Sequence, residues 1–141
     1  MDTVLEIKNV SKTYYTLNSN IKVLDNISLK VNDNEFISII GPSGAGKSTL
    51  LNIIADLTDC EGIINYKKDN PIIGYMIQED TLLPWLNILD NALLGLKVMK
   101  KINNDNIEYT KNLLTKYGLK DYIYKYPNEL SGGMKQRVGW M

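Results

Sequence analysis

Residues 41–49, "GPSGAGKST", match the spacing G-x-x-x-x-G-K-[ST] at Gly41, Gly46, Lys47 and Ser48. These residue types suit one chemistry. A phosphate group needs several backbone N–H groups turned toward it. Gly41, Gly44 and Gly46 let the backbone approach it in conformations that other residues resist, and Ser43 and Ala45 lie in the same loop. A helix starting near Gly46 and running through Thr49 puts its positive end at the same spot. Lys47 then reaches the β- and γ-phosphates, and the Ser48 hydroxyl suits Mg²⁺, a hard cation that takes oxygen ligands. With glycine at average usage, a chance match in a chain of 141 residues falls below about one in 100. The motif by itself does not separate ATP from GTP, nor a motor from a kinase.

The flanking elements have to hold that loop. "FISII", 36–40, is a short apolar run rich in β-branched residues, as expected for a strand buried on both faces. After the loop, Leu50, Ile53, Ile54 and Leu57 recur at helical spacing. Upstream, "VLEIKNV" reads as a strand, and Ile27, Leu29 and Val31 alternate with Ser28, Lys30 and Asn32 in the period-2 pattern of another. "NSN" at 18–20 and "VNDNE" at 31–35 mark turns. Downstream, "GIINY" (62–66) and "IIGYMIQ" (72–78) read as strands. Asn87 is a candidate N-cap for a helix through about Val98. Residues 105–117 predict an amphipathic helix with Ile107, Leu113, Leu114 and Tyr117 inward, ended by Gly118. No internal repeat and no low-complexity segment is present. The sum is an α/β domain with a helical insertion.

Composition excludes several classes. Apolar residues make up 44% and charged residues 23%, which is globular rather than disordered. Sixteen basic and sixteen acidic residues cancel, so nothing argues for nucleic acid or anionic lipid as a general partner. The single cysteine, Cys60, permits no internal disulfide and reads as a loop or packing thiol in a reducing compartment. The N-terminus lacks a basic head followed by an apolar run, and no apolar stretch reaches the length of a membrane span. The expected location is therefore cytosolic, with any membrane association made through a partner.

The segment "LSGGMKQRV", 130–138, carries a second pattern. Ser131 could cap a helix, with Met134, Val138 and Met141 lining one face. Taken with the phosphate loop upstream, it resembles the signature motif of ATP-binding cassette (ABC) ATPases, and the resemblance covers residues 3–138. "GYMIQEDTLLPWLNILDN" is most similar to ATPase subunits of nitrate, sulfonate and taurine importers. The resemblance implies an incomplete ABC-type nucleotide-binding domain in two parts. Residues 1–78 would be β-rich, an antiparallel subdomain and parallel-sheet core holding the phosphate loop, and 79–141 would be a helical subdomain holding the signature.

The resemblance also implies roles by position. Tyr14 matches the aromatic that stacks on adenine, with Tyr15 as the alternative and packing at a strand end as the plainer reading of either. Gln78 matches the glutamine that contacts Mg²⁺ and the attacking water. Leu82 to Leu86, with Trp85, would face a membrane subunit or belong to the core. Ser131, Gly132 and Gly133 would act in trans, closing on the γ-phosphate held by a second cassette in a head-to-tail dimer. ATP and Mg²⁺ are the implied ligands, and a second ATPase subunit and membrane permease subunits the implied partners, with no nucleic acid. The location would be the inner face of the cell membrane.

Departures from the family pattern matter as much. Its Mg²⁺-linked Asp, catalytic Glu and switch His follow Val138, whereas this sequence reads Gly139, Trp140, Met141 and contains no histidine. The family's next strand should lie beside "FISII", so an open apolar edge is expected. The leading expectation is the N-terminal part of an importer's ATPase subunit, a poor ATPase on its own. The alternatives are a nucleotide-binding module that does not hydrolyse alone, a soluble ABC protein of DNA repair or translation, and a gene remnant. Neither the basic patch nor the long coiled-coil insertion that would favour the soluble protein is present.

Overall fold

The structure, a computed structural model, describes residues 2–69, 71–77 and 81–140. Two compact units divide the chain, Met1–Tyr75 and Met76–Met141.

The first unit is built on an antiparallel sheet of order β2-β1-β3, with β1 at Thr3–Tyr15, β2 at Asn20–Asn32 and β3 at Glu61–Tyr66. The central strand β1 supplies Leu5, Ile7 and Val10 to the core. The switch from odd to even positions has a cause. Asn9 sits at φ +52°, and the pairing register with β2 shifts between Ile7 and Val10, a bulge that moves the buried face by one residue. Gly62 of β3, at φ +105°, lies against it. A Cβ there would come within 2.6 Å of the Asn9 carbonyl oxygen, so only glycine fits.

Helix α1, Lys47–Ile54, packs Leu50 and Ile53 against Leu5, Ile7, Val10 and Leu24. Two tyrosines pin it. The Tyr66 hydroxyl donates to the Ile54 carbonyl at 2.5 Å, and the Tyr75 hydroxyl donates to Asn52 Oδ1 at 2.5 Å. Cys60 is half-buried beside this core, and burial pushes its thiol up, which keeps it protonated and supports the packing reading.

The second unit is helical. Its core joins Ile88, Leu89, Leu93, Leu114, Leu119, Leu130 and Val138. These come from α2 (Ile88–Ala92), the residue preceding α3 (Leu94–Val98), α4 (Asn104–Lys116), the loop after it and α5 (Gly132–Gly139). Asn87 and Asn103 cap α2 and α4, each side chain accepting a backbone N–H bond at 2.8 Å. Gly118, at φ +76°, ends α4 and turns the chain so that Leu119 is buried.

Several expectations are corrected. Residues 36–40 and 71–77 carry no strand, and Phe36, Ile40 and Ile72 are almost fully exposed. A strand's N–H and C=O groups need a neighbouring strand, and among the described residues none runs beside either segment. The α/β class stands, with its one described sheet antiparallel. The helix expected from Asn87 to about Val98 breaks at Leu93 into α2 and α3. Leu57 lies past the end of α1 and is 64% exposed, and Tyr117, expected inward, is half exposed as the C-cap of α4.

Candidate functional site

The loop 41–46 and the start of α1 form the centre of the site. Gly46 is the N-cap of α1 at φ +84°, and Gly44 sits at φ +81°, both left-handed conformations that glycine adopts without strain. Gly46 is fixed a second time by crowding. An added Cβ would meet Leu24 Cδ2 at 2.8 Å and the Val23 carbonyl oxygen at 2.9 Å, because the helix start rests directly on β2. The loop is closed by the Ala45 N–H donating to the Pro42 carbonyl at 3.3 Å.

Lys47 folds back over the loop, its ammonium donating to the Gly41 carbonyl at 2.8 Å and the Pro42 carbonyl at 2.6 Å. No acidic residue stands in the first turn of α1, and among the described residues Lys47 has no carboxylate partner. A cation and the positive end of a helix therefore share one exposed loop, with no counter-charge among the described residues. That arrangement fits an anion supplied from outside, as a triphosphate would be. Ser43, Gly44, Ala45 and Ser48 are exposed around it, and Thr49 is half-buried in the first turn. The Ser48 hydroxyl, exposed on α1, has the oxygen chemistry that Mg²⁺ takes.

Tyr14 and Tyr15 lie at the end of β1 and are 41% and 73% exposed. Tyr14 has a neighbour that the sequence reading missed: the Lys12 ammonium lies over its ring, 5.4 Å from the centroid, and pairs with Asp59 at 2.6 Å. Strand alternation put Lys12 and Tyr14 on one face and could have found the contact, but Asp59 is 47 residues away in sequence. The carboxylate raises the Lys12 ammonium above its ordinary value, and the ammonium lowers Asp59 in turn.

Gln78 lies outside the described residues, as does Met141. The start of α5 differs from the expectation. Ser131 is the N-cap in an extended conformation, but its side chain makes no capping bond. Only its carbonyl is engaged, accepting from Met134 and Lys135 N–H at 3.0 Å each. Ser131, Gly132 and Gly133 are all exposed, and a Cβ added at either glycine would meet nothing within 4 Å. Met134 and Val138 face the core as expected, Val138 fully buried.

In the segment 82–86, Leu82 packs on the helical core while Trp85 is 68% exposed. Asn91, which the sequence reading passed over, shapes the turn. Its amide donates to the carbonyls of Leu83, Leu86 and Asn87 at 3.0–3.1 Å, and its Oδ1 accepts from Leu83 N–H at 2.7 Å. Among the described residues no helix is long and apolar enough to cross a membrane.

Comparison with known proteins agrees with this geometry. The spermidine/putrescine import ATP-binding protein PotA of Borreliella afzelii is 46% identical, over 96% of this chain and 41% of its own length. The aliphatic sulfonates import ATP-binding protein SsuB of Bacillus anthracis is 36% identical, over 95% of this chain and 55% of its own. Among solved structures, the ATP-binding cassette MJ0796, a dimer in a post-hydrolysis state bound to ADP and Pi, superposes with a TM-score of 0.83. It is 33% identical, over 96% of this chain and 66% of that one. The chain spans about half the length of the curated relatives it matches. Residues 24–141 match the ABC transporter family, and the chain belongs to it.

Proposed function

We propose that this chain is the ATP-binding part of an ABC-type importer subunit, which in the assembled transporter couples ATP binding and hydrolysis to solute uptake. The observation that carries the reading is the Lys47 ammonium, held over a left-handed glycine loop at a helix start where no acid among the described residues neutralises it. In this reading the loop from Gly41 to Gly46 and the N–H groups of Lys47, Ser48 and Thr49 cradle the phosphates. Lys47 exchanges its two carbonyl partners for phosphate oxygens. Ser48 and Gln78 hold Mg²⁺, whose charge offsets that of the β- and γ-phosphates. Tyr14 stacks on the base.

Ser131, Gly132 and Gly133 act on a second subunit's nucleotide. Support comes from their exposure and from the open space that an added Cβ would meet at Gly132 and Gly133 among the described residues. The similarity to a dimeric cassette supports the same arrangement. The partners are then a second ATPase subunit and membrane permease subunits, at the cytoplasmic face of the membrane, without nucleic acid. The solute belongs to the nitrate, sulfonate and taurine group, a reading supported by "GYMIQEDTLLPWLNILDN" and by the likeness to SsuB.

By themselves these 141 residues bind ATP without turning it over at a useful rate, because none of them occupies the family's general-base or switch-histidine position. Loss of a positioned base removes a factor of about 10² to 10⁴ in rate.

The test is calorimetric titration of MgATP into the chain and into Lys47→Ala. Binding by the first and none by the second is expected; equal affinity would refute the phosphate-loop reading. Turnover near about 1 s⁻¹, the low end of ordinary enzyme rates, would refute the binding-only reading of these residues.

A further inference from the structure

We propose that Lys12, clamped by Asp59, is a positioning residue that fixes the Tyr14 ring as the platform for a nucleotide base. The inference rests on the nucleotide reading above and adds two residues to it. Lys12 and Tyr14 are two apart on β1, and although the pairing with β2 shifts register between Lys12 and Thr13, the Lys12 ammonium lies over the Tyr14 ring. The Lys12 side chain is only 11% exposed, and its ammonium is held at two points. One is Asp59 Oδ1 at 2.6 Å; the other is the Tyr14 ring, 5.4 Å from its centroid. A lysine on four rotatable bonds does not stay in one place without such a clamp.

Stability gives little reason for the pair. Asp59 is 94% exposed, and an ion pair to so exposed a carboxylate contributes little to folding. What the pair does is local. The cation occupies one face of Tyr14, attracted by the negative face of the ring, and limits the ring's rotation. It also draws π density toward itself, which makes the opposite face a better partner for the π system of a purine. Tyr14 as a residue stays 41% exposed, so it is accessible from solvent. Asp59 comes from the segment between α1 and β3, so the clamp ties the base platform to the stretch that follows the phosphate-loop helix.

The experiment compares two ligands, MgATP and inorganic triphosphate, on the full 141-residue chain and on Lys12→Met, Asp59→Ala and Lys12→Arg. Triphosphate reads the phosphate loop alone, and the difference between the ligands reads the base. Lys12→Met and Asp59→Ala should weaken ATP binding about two- to fivefold and leave triphosphate binding unchanged. Lys12→Arg, which keeps a cation over the ring, should stay within about twofold of the parent for both ligands. Equal losses on the two ligands would assign Lys12 to general charge attraction or to folding, and would overturn the proposal. Unchanged ATP affinity in both variants would overturn it as well. If the parent binds triphosphate as tightly as ATP, base stacking is absent and this inference fails while the phosphate-loop reading stands. If the parent binds neither, that reading fails first. Should Lys12→Met not fold, Asp59→Ala, at an exposed position, carries the test alone.

Discussion

Two helices of eight residues begin at glycine-bearing motifs, α1 after Gly46 and α5 after Ser131, and they begin differently. At Gly46 the glycine is forced from within, by a left-handed φ and by Leu24 and Val23 pressed against the place of a side chain. At Gly132 and Gly133 an added Cβ would meet nothing within 4 Å among the described residues. Neither start has a side-chain cap, whereas α2 and α4 are capped by Asn87 and Asn103. A helix start closed by its own asparagine is finished as a structure. A start left open keeps backbone N–H groups for something else; of the three α-helix starts without a side-chain cap, α3 follows directly on α2 through Leu93, and the other two are those in the family's nucleotide motifs.

The strongest way to break this comparison is to add the same methyl group to both. Gly46→Ala puts a Cβ at φ +84° and within 2.9 Å of a backbone oxygen that cannot move aside cheaply. Strain and overpacking together should cost about 3 kcal/mol of stability, read by urea unfolding, and ATP binding should be lost. Gly132→Ala should leave stability unchanged or raise it by about 0.5 kcal/mol, since alanine is the better helix former and meets no neighbour. Its expected defect lies elsewhere, in ATP-dependent association of two copies. If Gly46→Ala proves harmless, or Gly132→Ala costs as much, the two starts are not the different devices described here.

The glycine loop and the helix after it were legible in sequence because left-handed positions such as Gly44 and Gly46 tolerate few other residues. The helical unit was legible for a similar reason. Its apolar residues recur at helical spacing, and Asn87 and Gly118 are chemical punctuation. What failed were the parts fixed by neighbours. "FISII" has the composition of a buried strand, yet composition cannot supply the strand that must lie beside it, and Phe36 and Ile40 stand exposed. The break at Leu93 left no mark in the hydrophobic pattern. Lys12 was passed over because half of its meaning sits at Asp59, far along the chain. Ser131 misled in the opposite direction: serine before a helix predicts a side-chain cap, and here only its carbonyl is used.

Capping gives the next, smaller contrast. Asn103→Ala should destabilise the helical unit by about 1 kcal/mol, because the Asn106 N–H loses its acceptor at 2.8 Å. Ser131→Ala should change stability by no more than about 0.3 kcal/mol, well below the usual cost of a lost cap, since no side-chain bond is there to lose. Thermal unfolding of the pair measures the difference directly. A Ser131→Ala penalty equal to that of Asn103→Ala would mean that the hydroxyl caps α5 in solution, and would weaken the idea that this start is kept open for a partner.

The smallest effect concerns what lies behind the first helix start. The sheet under α1 carries Glu6 on its central strand, within 2.7 Å of the Lys8 ammonium and 2.9 Å of the Lys30 ammonium. Hydrogen bonds from these two lysines hold its carboxyl down at about 2, against an ordinary value of 4.5. A depressed carboxyl contributes stability that is fully present above the ordinary value and is lost as pH falls from there through about 2. Acid should therefore loosen the pairing of β1 with β2 between about pH 4.5 and pH 2. Glu6→Gln should flatten that part of the acid-unfolding curve by lowering stability above about pH 4.5 toward the parent's acid value, a small loss because the Lys8 and Lys30 ammoniums are half or more exposed to solvent. The capped side of the comparison supplies the control. Hydrogen exchange at Asn106, whose N–H is held by a neutral asparagine, should not respond to Glu6→Gln at any pH, whereas the β1 and β2 amides beside Glu6 should. Exchange that rises equally at both places would mean that acid opens the chain as one cooperative body, and that the two units do not answer separately to their own contacts.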